Sequence, residues 1–230
     1  MSRLMKAVTF SYDDGVESDR KLIEIFNRYN MKCTFNINSG LMDNPNMWKY
    51  KDKFEVCRMN WKDNLKELYK GHEIAVHGTW HKRPSELSES ELKEEFLDDK
   101  NELERYFGCE VSGMAYACGD YNDAAVDYLK SIGIKYGRTT KSNYSFELQS
   151  DLLRFKPTCH HTDEKLMELC EKFIKSEADK PQIFYVWGHA YEFDADENFY
   201  VIENLCKELA GRDDIYFGTN EEVFRYFNLI

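Results

Sequence analysis

The hydrophobic positions of this chain follow two alternating periods along most of its length. Short runs of β-branched and aromatic residues, typical of buried strands, are separated by longer segments with apolar residues at helical spacing. In the first such helix, Leu22, Ile23 and Phe26 share one face. The pattern predicts strands at 6–11, 32–38, 73–77, 113–118, 135–140, 152–158, 182–189 and 214–218. It predicts helices at 18–30, 61–70, 88–108, 123–133, 163–178, 196–210 and 220–228. The segment 39–60, which carries Gly40, Pro45 and Asn46, is predicted to be irregular.

The repeated order of strand and helix predicts an α/β fold built on a parallel sheet. Two architectures remain open at this point, an open doubly wound sheet and a closed (β/α) barrel. In a barrel, functional residues gather at the C-terminal ends of the strands. The length of 230 residues fits one domain, and no repeat or low-complexity linker divides the chain. We therefore predict a single catalytic domain over residues 1–230.

The charge and the cysteine content restrict the expected partners and compartment. A formal net charge of −11 repels nucleic acid and anionic membrane surfaces. No apolar stretch approaches the roughly 18 residues of a membrane span, and the N-terminus lacks the apolar core of a signal peptide. The seven cysteines form no C-x-x-C pair, and several lie in apolar runs, which suits a reducing compartment. We expect a cytoplasmic protein that binds neither nucleic acid nor membrane.

Most histidines of the chain and one pair of aspartates collect at the ends of predicted strands. Two adjacent aspartates end the first strand, and five of the six histidines follow the ends of later strands. The C-terminal ends of parallel strands meet at one edge of a sheet, so these side chains are expected to share one site. The residues concerned are Asp13, Asp14, His77, His81, His160, His161 and His189.

The pairing of Asp13 with Asp14 requires a physical reason, because adjacent carboxylates repel each other more strongly as water is excluded. A surface turn would tolerate the pair, and a lone H-x-x-x-H is often incidental. It is not the helical metalloprotease motif, because Gly78 stands where that motif has glutamate. Together, however, one carboxylate and two imidazoles make a three-ligand site with open positions, as in catalytic zinc centres. The other aspartate could then act as a general base and a further histidine as a general acid.

These motifs resemble the polysaccharide deacetylase family, the NodB-homology domain of the carbohydrate esterases, over nearly the whole chain. TFSYDDG (9–15) is similar to the first family motif, GHEIAVHGTWH (71–81) to the second and FYVWGH (184–189) to the last. The resemblance implies a distorted (β/α) barrel of about seven parallel strands. It implies Asp13 as the catalytic base and His189 as the general acid. The implied ligands of one divalent metal ion are Asp14, His77 and His81.

The third family motif is altered in AYACG (115–119). Ala115 occupies the position of the arginine that orients the catalytic aspartate in the family. Cys118 occupies that of a tyrosine whose backbone N–H contacts the oxyanion. We predict that the Cys118 N–H keeps this role. We also predict that Arg138, at the end of the fifth predicted strand, takes the place of the missing arginine.

The fourth family motif is not recognisable, and PTCHHTD (157–163) stands near its place. The two histidines of this segment could line the site, although they also fit a helix-capping turn. Aromatic rings near the same loops suit stacking on sugar faces and equally suit ordinary packing. The residues assigned to substrate binding on this basis are Tyr116, His160, His161, Trp187 and Tyr191.

We therefore predict a metal-dependent hydrolase that removes an acetyl group from an N-acetylated sugar or a related small amide. One alternative is hydrolysis of another C–N bond, such as that of a cyclic amide, or of an acetyl ester. Another is a carbohydrate-binding barrel without turnover, against which the retained aspartates and motif histidines argue. Zinc is the expected metal, although cobalt, nickel, iron and manganese also fit mixed N/O ligation. The expected partner is a small-molecule or oligosaccharide substrate, and a homo-oligomer remains open.

Overall fold

The computed structural model describes residues 4–43 and 47–230, so Pro45 and Asn46 of the predicted irregular segment lie outside the described residues. Over these ranges the chain forms ten strands and nine α-helices. The strands are β1 (Lys6–Asp13), β2 (Cys33–Ile37), β3 (Trp48–Tyr50), β4 (Phe54–Val56), β5 (Glu73–Val76), β6 (Gly113–Ala115), β7 (Tyr136–Arg138), β8 (Cys159–His160), β9 (Gln182–Gly188) and β10 (Ile215–Phe217). The helices are α1 (Asp19–Arg28), α2 (Leu65–Leu68), α3 (Glu89–Leu92), α4 (Asp98–Phe107), α5 (Asp123–Ser131), α6 (Leu166–Lys175), α7 (Ala190–Ala195), α8 (Tyr200–Leu209) and α9 (Asn220–Tyr226).

Eight of the described strands form one parallel sheet in which β1 is central. The order is β7-β6-β5-β2-β1-β9-β8, and β10 pairs with the first residues of β1. All eight residues of β1 are buried, as expected for a strand covered on both faces. Tyr12 of β1 aligns with Phe35 of β2 and with Gly188 of β9. This register brings the C-terminal ends of the three strands to the same edge.

The sheet curls into a barrel whose two edges are linked by the segment 155–160. Phe155 forms a parallel bridge with Arg138 at the end of β7, and β8 pairs with β9 a few residues later. One short extended segment therefore contacts strands at both edges of the sheet. The predicted distorted (β/α) barrel of about seven parallel strands is confirmed.

The two faces of β1 have different surroundings because side chains alternate along a strand. Val8, Phe10 and Tyr12 belong to the main hydrophobic core. The residues between them are mostly polar, and Thr9 donates a hydrogen bond to Asn220 Oδ1 of α9 over 2.8 Å. Asp13 is the last residue on this second face. The alternation therefore directs its carboxylate to the side of Thr9 and Ser11, away from the main hydrophobic core, where Ser11 and Asp13 both contact Arg138.

The predicted sixth strand, at 152–158, is wrong in position. Residues 152–154 form a 3₁₀ turn, and the ladder with β9 begins only at Cys159. Pro157 explains part of the shift, because it has no N–H to donate within a strand. Leu152 and Leu153 are therefore half-buried in this turn, and Phe155 is buried without belonging to a regular strand.

Three further elements differ from the prediction. The helix predicted at 88–108 contains a π-helical turn at Lys93–Leu97, and the one predicted at 196–210 is preceded by a separate helix, α7. The irregular segment 39–60 contains an antiparallel hairpin of β3 and β4. Strands of three residues are too short for the period-two pattern to be recognised. Within the described ranges, no helix combines the length and apolarity needed to cross a membrane.

Candidate active site

Asp13 is held as an anion at the end of β1, where it is only 2% exposed. Its Oδ1 accepts a hydrogen bond from Asn36 Nδ2 over 2.9 Å, and its Oδ2 contacts the guanidinium of Arg138. Burial raises the pKa of Asp13, but Arg138, and then His77 and His189, lower it by more, so the pKa lies below its usual value. The carboxylate is therefore ionised and able to accept a proton.

Arg138 reaches Asp13 from the strand next to the altered motif. Ala115 of β6 and Arg138 of β7 are register partners. The guanidinium of Arg138 therefore comes from the same level of the barrel as Ala115, the position where the family has its arginine. The guanidinium carbon lies 4.2 Å from the centre of the Trp187 ring, and Nε donates to Ser11 Oγ over 3.3 Å. Arg138 is 1% exposed. Its ion pair with Asp13 is thus shielded from water and fixed in orientation.

Asp14 shares a cavity with Asp13 because the strand ends between them. Successive side chains in a strand point to opposite faces, but Asp14 has a left-handed φ of 86°. This turn brings both carboxylates to the same cavity. Asp14 Oδ1 lies 3.8 Å from His77 Nε2 and 3.8 Å from His81 Nε2.

Asp14, His77 and His81 fit a divalent metal ion. Their ligand atoms all lie within 4.8 Å of one another. His77 Nδ1 lies 2.8 Å from the Ala115 carbonyl oxygen, which can only accept, so Nδ1 carries the proton and Nε2 has a free lone pair. His77 Nε2 is buried and has no hydrogen-bond partner among the described residues, so its lone pair is available to a metal ion. Burial, and then His77, lower the pKa of His81 to about 4, so it is neutral as ligation requires.

Two buried acids hold the loop that carries the motif histidines. Asp99 Oδ2 accepts hydrogen bonds from the backbone N–H groups of His77 (3.1 Å) and Gly78 (3.0 Å). Glu95 Oε1 accepts from the backbone N–H groups of Trp80 and Lys82, at 3.2 and 2.8 Å. Glu95 lies in the π-helical turn, a feature often found at functional sites. Nothing in the sequence indicated these acids, since their helix was predicted as regular.

Replacement of Gly78 by alanine is expected to destabilise the fold by about 1–3 kcal/mol and to weaken metal binding. Gly78 has a φ of 86°, which strains a residue with a side chain. The Cβ of an alanine at this position would also lie too close to Glu95 Oε1. The carboxylate would have to move and give up its hydrogen bonds to the loop. Urea unfolding and zinc titration measure the two effects.

Gly71→Ala is the matched control for this prediction, because Gly71 has a φ of 89° but no neighbouring atom within 4 Å of the place that a Cβ would take. It is expected to show the backbone strain alone, without a change in zinc affinity. Equal losses of zinc affinity in the two variants would contradict the role given to the contact between Gly78 and Glu95.

His189 lies immediately after β9, at the N-cap of α7. Its Nε2 is 3.9 Å from Asp13 Oδ2 and 4.0 Å from Asp14 Oδ2, and its Nδ1 is 3.5 Å from Glu192 Oε2. Burial lowers the pKa of His189, but the carboxylates of Glu192, Asp14 and Asp13 raise it by more, to about 9. The imidazole can therefore carry a proton at neutral pH.

The two aspartates, His77, His81 and His189 line a cavity of about 420 Å³, a size typical of small-molecule sites. Cys118 lines it from a 3₁₀ turn after β6, with a left-handed φ of 56°. Nine residues assigned from the sequence line this cavity, and Arg138 lies behind Asp13. The lining residues are Asp13, Asp14, Trp48, Arg58, His77, His81, Tyr116, Cys118, Thr140, Trp187, His189 and Tyr191.

His160 and His161 are not among the residues that line the cavity. They lie beside it, with their Nε2 atoms 3.2 and 3.1 Å from Glu192 Oε2. The ring of His161 stacks on Tyr12 and on Phe193, with centroids 5.6 and 4.0 Å apart. Burial lowers the pKa of His161 to about 4, although Glu192 raises it in part. Their assignment to substrate binding gains no support from this placement.

Sequence reasoning missed Arg58, Trp48 and Glu192. Arg58 donates to Asn38 Oδ1 over 2.7 Å and contacts both the carbonyl and the carboxylate of Asp14. Burial raises the pKa of Asp14, but Arg58, and then the neighbouring histidines, lower it by more, to about 2. Arg58 and Trp48 belong to the segment predicted as irregular, so no pattern marked them. Glu192 could have been found as the acid three residues after His189, the spacing of a capping box.

Comparisons with known proteins agree with this fold. A family model described as polysaccharide deacetylase matches residues 2–137, which is more than half of the chain. No curated protein sequence is significantly similar to it. A Mycobacterium smegmatis protein assigned as a polysaccharide deacetylase superposes with a TM-score of 0.67 and 15% identity, covering 99% of this chain and 91% of that one.

Two further solved structures bear on the family. The Streptococcus pyogenes deacetylase PplD, solved with acetate, has a TM-score of 0.55 and 21% identity over 64% of this chain and 61% of that one. A CE4-family pseudoenzyme of Bacillus anthracis has a TM-score of 0.55 and 14% identity over 95% of this chain and 65% of its own. The chain thus spans about three fifths of the streptococcal enzyme. Structural similarity at identities this low establishes only the shared fold. The family model, in contrast, covers both the aspartate pair and the motif histidines. The chain therefore belongs to the polysaccharide deacetylase family.

Proposed function

We propose that this protein is a metal-dependent hydrolase that removes the acetyl group from an N-acetylated saccharide or a related small amide. The observation that carries the proposal is the convergence of a buried general base, a protonated histidine and a three-ligand cluster on one cavity. Asp13 and His189 lie 3.9 Å apart there, beside the cluster of Asp14, His77 and His81. The streptococcal structure with bound acetate supports an acetyl group as the part removed.

Asp14, His77 and His81 would hold one divalent ion, most suitably zinc. Such an ion polarises a carbonyl group and makes a water molecule more acidic. The remaining roles belong to the protein. Asp13, kept ionised by Arg138, takes the proton from the attacking water.

The leaving group and the oxyanion are served by the opposite parts of the cavity wall. The backbone N–H of Cys118 donates a hydrogen bond to the oxygen that becomes negative as water adds to the carbonyl. His189, whose pKa is raised to about 9, donates its proton to the departing amine. Aromatic rings of Trp48, Tyr116 and Tyr191 line the same cavity and suit stacking on a sugar face.

The test is turnover of defined substrates by the metal-free protein and by the zinc-loaded protein. Acetate release is expected from N-acetylated mono- or oligosaccharides with zinc and not after chelation. Cyclic amides and acetyl esters are assayed in parallel, because preferential cleavage of either would replace the deacetylase proposal. Binding of a sugar with no turnover under any of zinc, cobalt, nickel, iron or manganese would overturn it in favour of a carbohydrate-binding barrel.

His77→Ala is expected to lower the zinc content sharply, because only two protein ligands remain at the site. Elemental analysis after reconstitution measures this without relying on activity. His72→Gln is the control, since His72 Nδ1 accepts from the Cys33 N–H, 3.2 Å away, and His72 does not line the catalytic cavity. Unchanged zinc in His77→Ala would contradict the assigned ligand set.

A further inference from the structure

A second cluster of metal-ligating side chains lies next to the candidate active site. His160 ends β8, His161 follows it, and Glu192 lies in the first turn of α7. The ligand atoms of these three residues all lie within 4.8 Å of one another. Glu192 Oε2 is 3.2 Å from His160 Nε2 and 3.1 Å from His161 Nε2. The first metal cluster, of Asp14, His77 and His81, does not include any of them.

The imidazole of His161 is buried, and its two nitrogens form no hydrogen bond with the described residues. The residue is 2% exposed, and within residues 4–43 and 47–230 neither Nδ1 nor Nε2 has a hydrogen-bond partner. Leaving a buried polar atom unpaired is costly, so native proteins rarely do so without a reason. The nearest charged group to Nε2 is the Glu192 carboxylate, whose Oε2 lies 3.1 Å away. His77 Nε2 has the same unpaired state at the first metal cluster.

The distances between the ligand atoms fit an ion placed among them. Two atoms that each lie about 2.1 Å from one zinc ion are about 3–3.4 Å apart at angles near those of a tetrahedron. The ion then lies off the line that joins the two atoms, and the separations of 3.2 and 3.1 Å from Glu192 Oε2 fall in this range. Thr162 contacts His160 Nδ1 through its Oγ1 at 2.7 Å and through its backbone N–H at 3.2 Å. The Nε2 lone pair is free for a metal ion in the tautomer whose Nδ1 donates to Thr162 Oγ1.

We propose that His160, His161 and Glu192 form a second binding site for a divalent transition-metal ion, with zinc as the ion of best fit. Two imidazoles and one carboxylate are the ligand types that zinc prefers, and open positions remain for water. The proposal does not depend on the deacetylase activity. It concerns a site that shares one wall with the catalytic cavity, since His189 Nδ1 is 3.5 Å from the same Glu192 oxygen.

Metal stoichiometry tests this site. The full chain is freed of metal with a chelator, dialysed against zinc and analysed for bound ions, with calorimetric titration of zinc as a second measurement. The wild-type chain is expected to bind two ions. His160→Ala and Glu192→Gln are each expected to bind one. The His160 side chain is 20% exposed, so its truncation leaves the fold intact, which circular dichroism verifies. Should either variant unfold, the other decides the result.

His77→Ala separates the two metal sites. It is expected to lose the first ion and keep the second, and the double variant His77→Ala/His160→Ala is expected to lose both. Glu197→Gln is the control for zinc held by exposed acids, because Glu197 lies just beyond α7 and is exposed. Binding of one ion by the wild type, with no change in His160→Ala and Glu192→Gln, would overturn the second site. If Asp14, His77 and His81 do not bind zinc, the zinc content of His77→Ala will instead equal that of the wild type.

Discussion

Asp13→Asn is expected to lower kcat by about 10²–10⁴-fold while leaving the metal content unchanged, which is the usual contribution of a general base. The amide keeps the shape of the side chain but cannot accept a proton from water. Asp13 Oδ2 contacts Arg138 rather than forming part of the three-ligand cluster, so the ion should stay bound. Steady-state turnover of an N-acetylated sugar and elemental analysis measure the two quantities.

The matched control for Asp13→Asn is Asp120→Asn. The carboxylate of Asp120 accepts a hydrogen bond from the Ser85 N–H over 2.9 Å, and Asp120 does not line the cavity. Turnover by Asp13→Asn near the wild-type rate would mean that another group acts as the base. Loss of the metal in Asp13→Asn would mean that Asp13 is itself a ligand.

His189→Ala is expected to reduce kcat/KM for amide substrates by about 10²–10⁴-fold and for activated esters much less. An amine must be protonated as it leaves, whereas an activated alkoxide leaves without help. The acid is active while protonated, so amide turnover should fall as the pH rises through the pKa of His189. That pKa is raised to about 9 by the nearby carboxylates, and a cation at Asp14 would offset part of their charge. The basic limb should therefore lie at or below about pH 9.

Parallel pH profiles for an amide and an activated ester distinguish this role from a structural one. The wild-type profile for the amide should show the basic limb, and the His189→Ala profile should not. His72→Gln serves again as the control, because its imidazole contacts the Cys33 N–H on another part of the barrel. Equal losses on both substrates would mean that His189 supports packing or the metal cluster instead of donating a proton.

Local sequence patterns were sufficient to predict the alternation of the main strands and helices and the edge of the sheet that carries the candidate site. Alternation of strand and helix indicated a parallel sheet, and Asp13, Asp14 and His77 each followed an apolar run. Since the C-terminal ends of parallel strands meet at one edge, local patterns were enough to bring these side chains together. Hydrophobic periodicity is a local property, so it was least useful for short elements such as β3, β4 and β8.

The groups that surround those side chains became visible only in the folded chain. The contact of Arg138 with Asp13 depends on the register of β6 and β7, in which Ala115 aligns with Arg138. Arg58 reaches Asp14 from a segment without regular pattern, over 44 positions of the chain. Glu192 joins three histidines from two strand ends. Such contacts between distant parts of the chain arise from strand register and backbone turns, which the spacing of residues along a sequence does not encode.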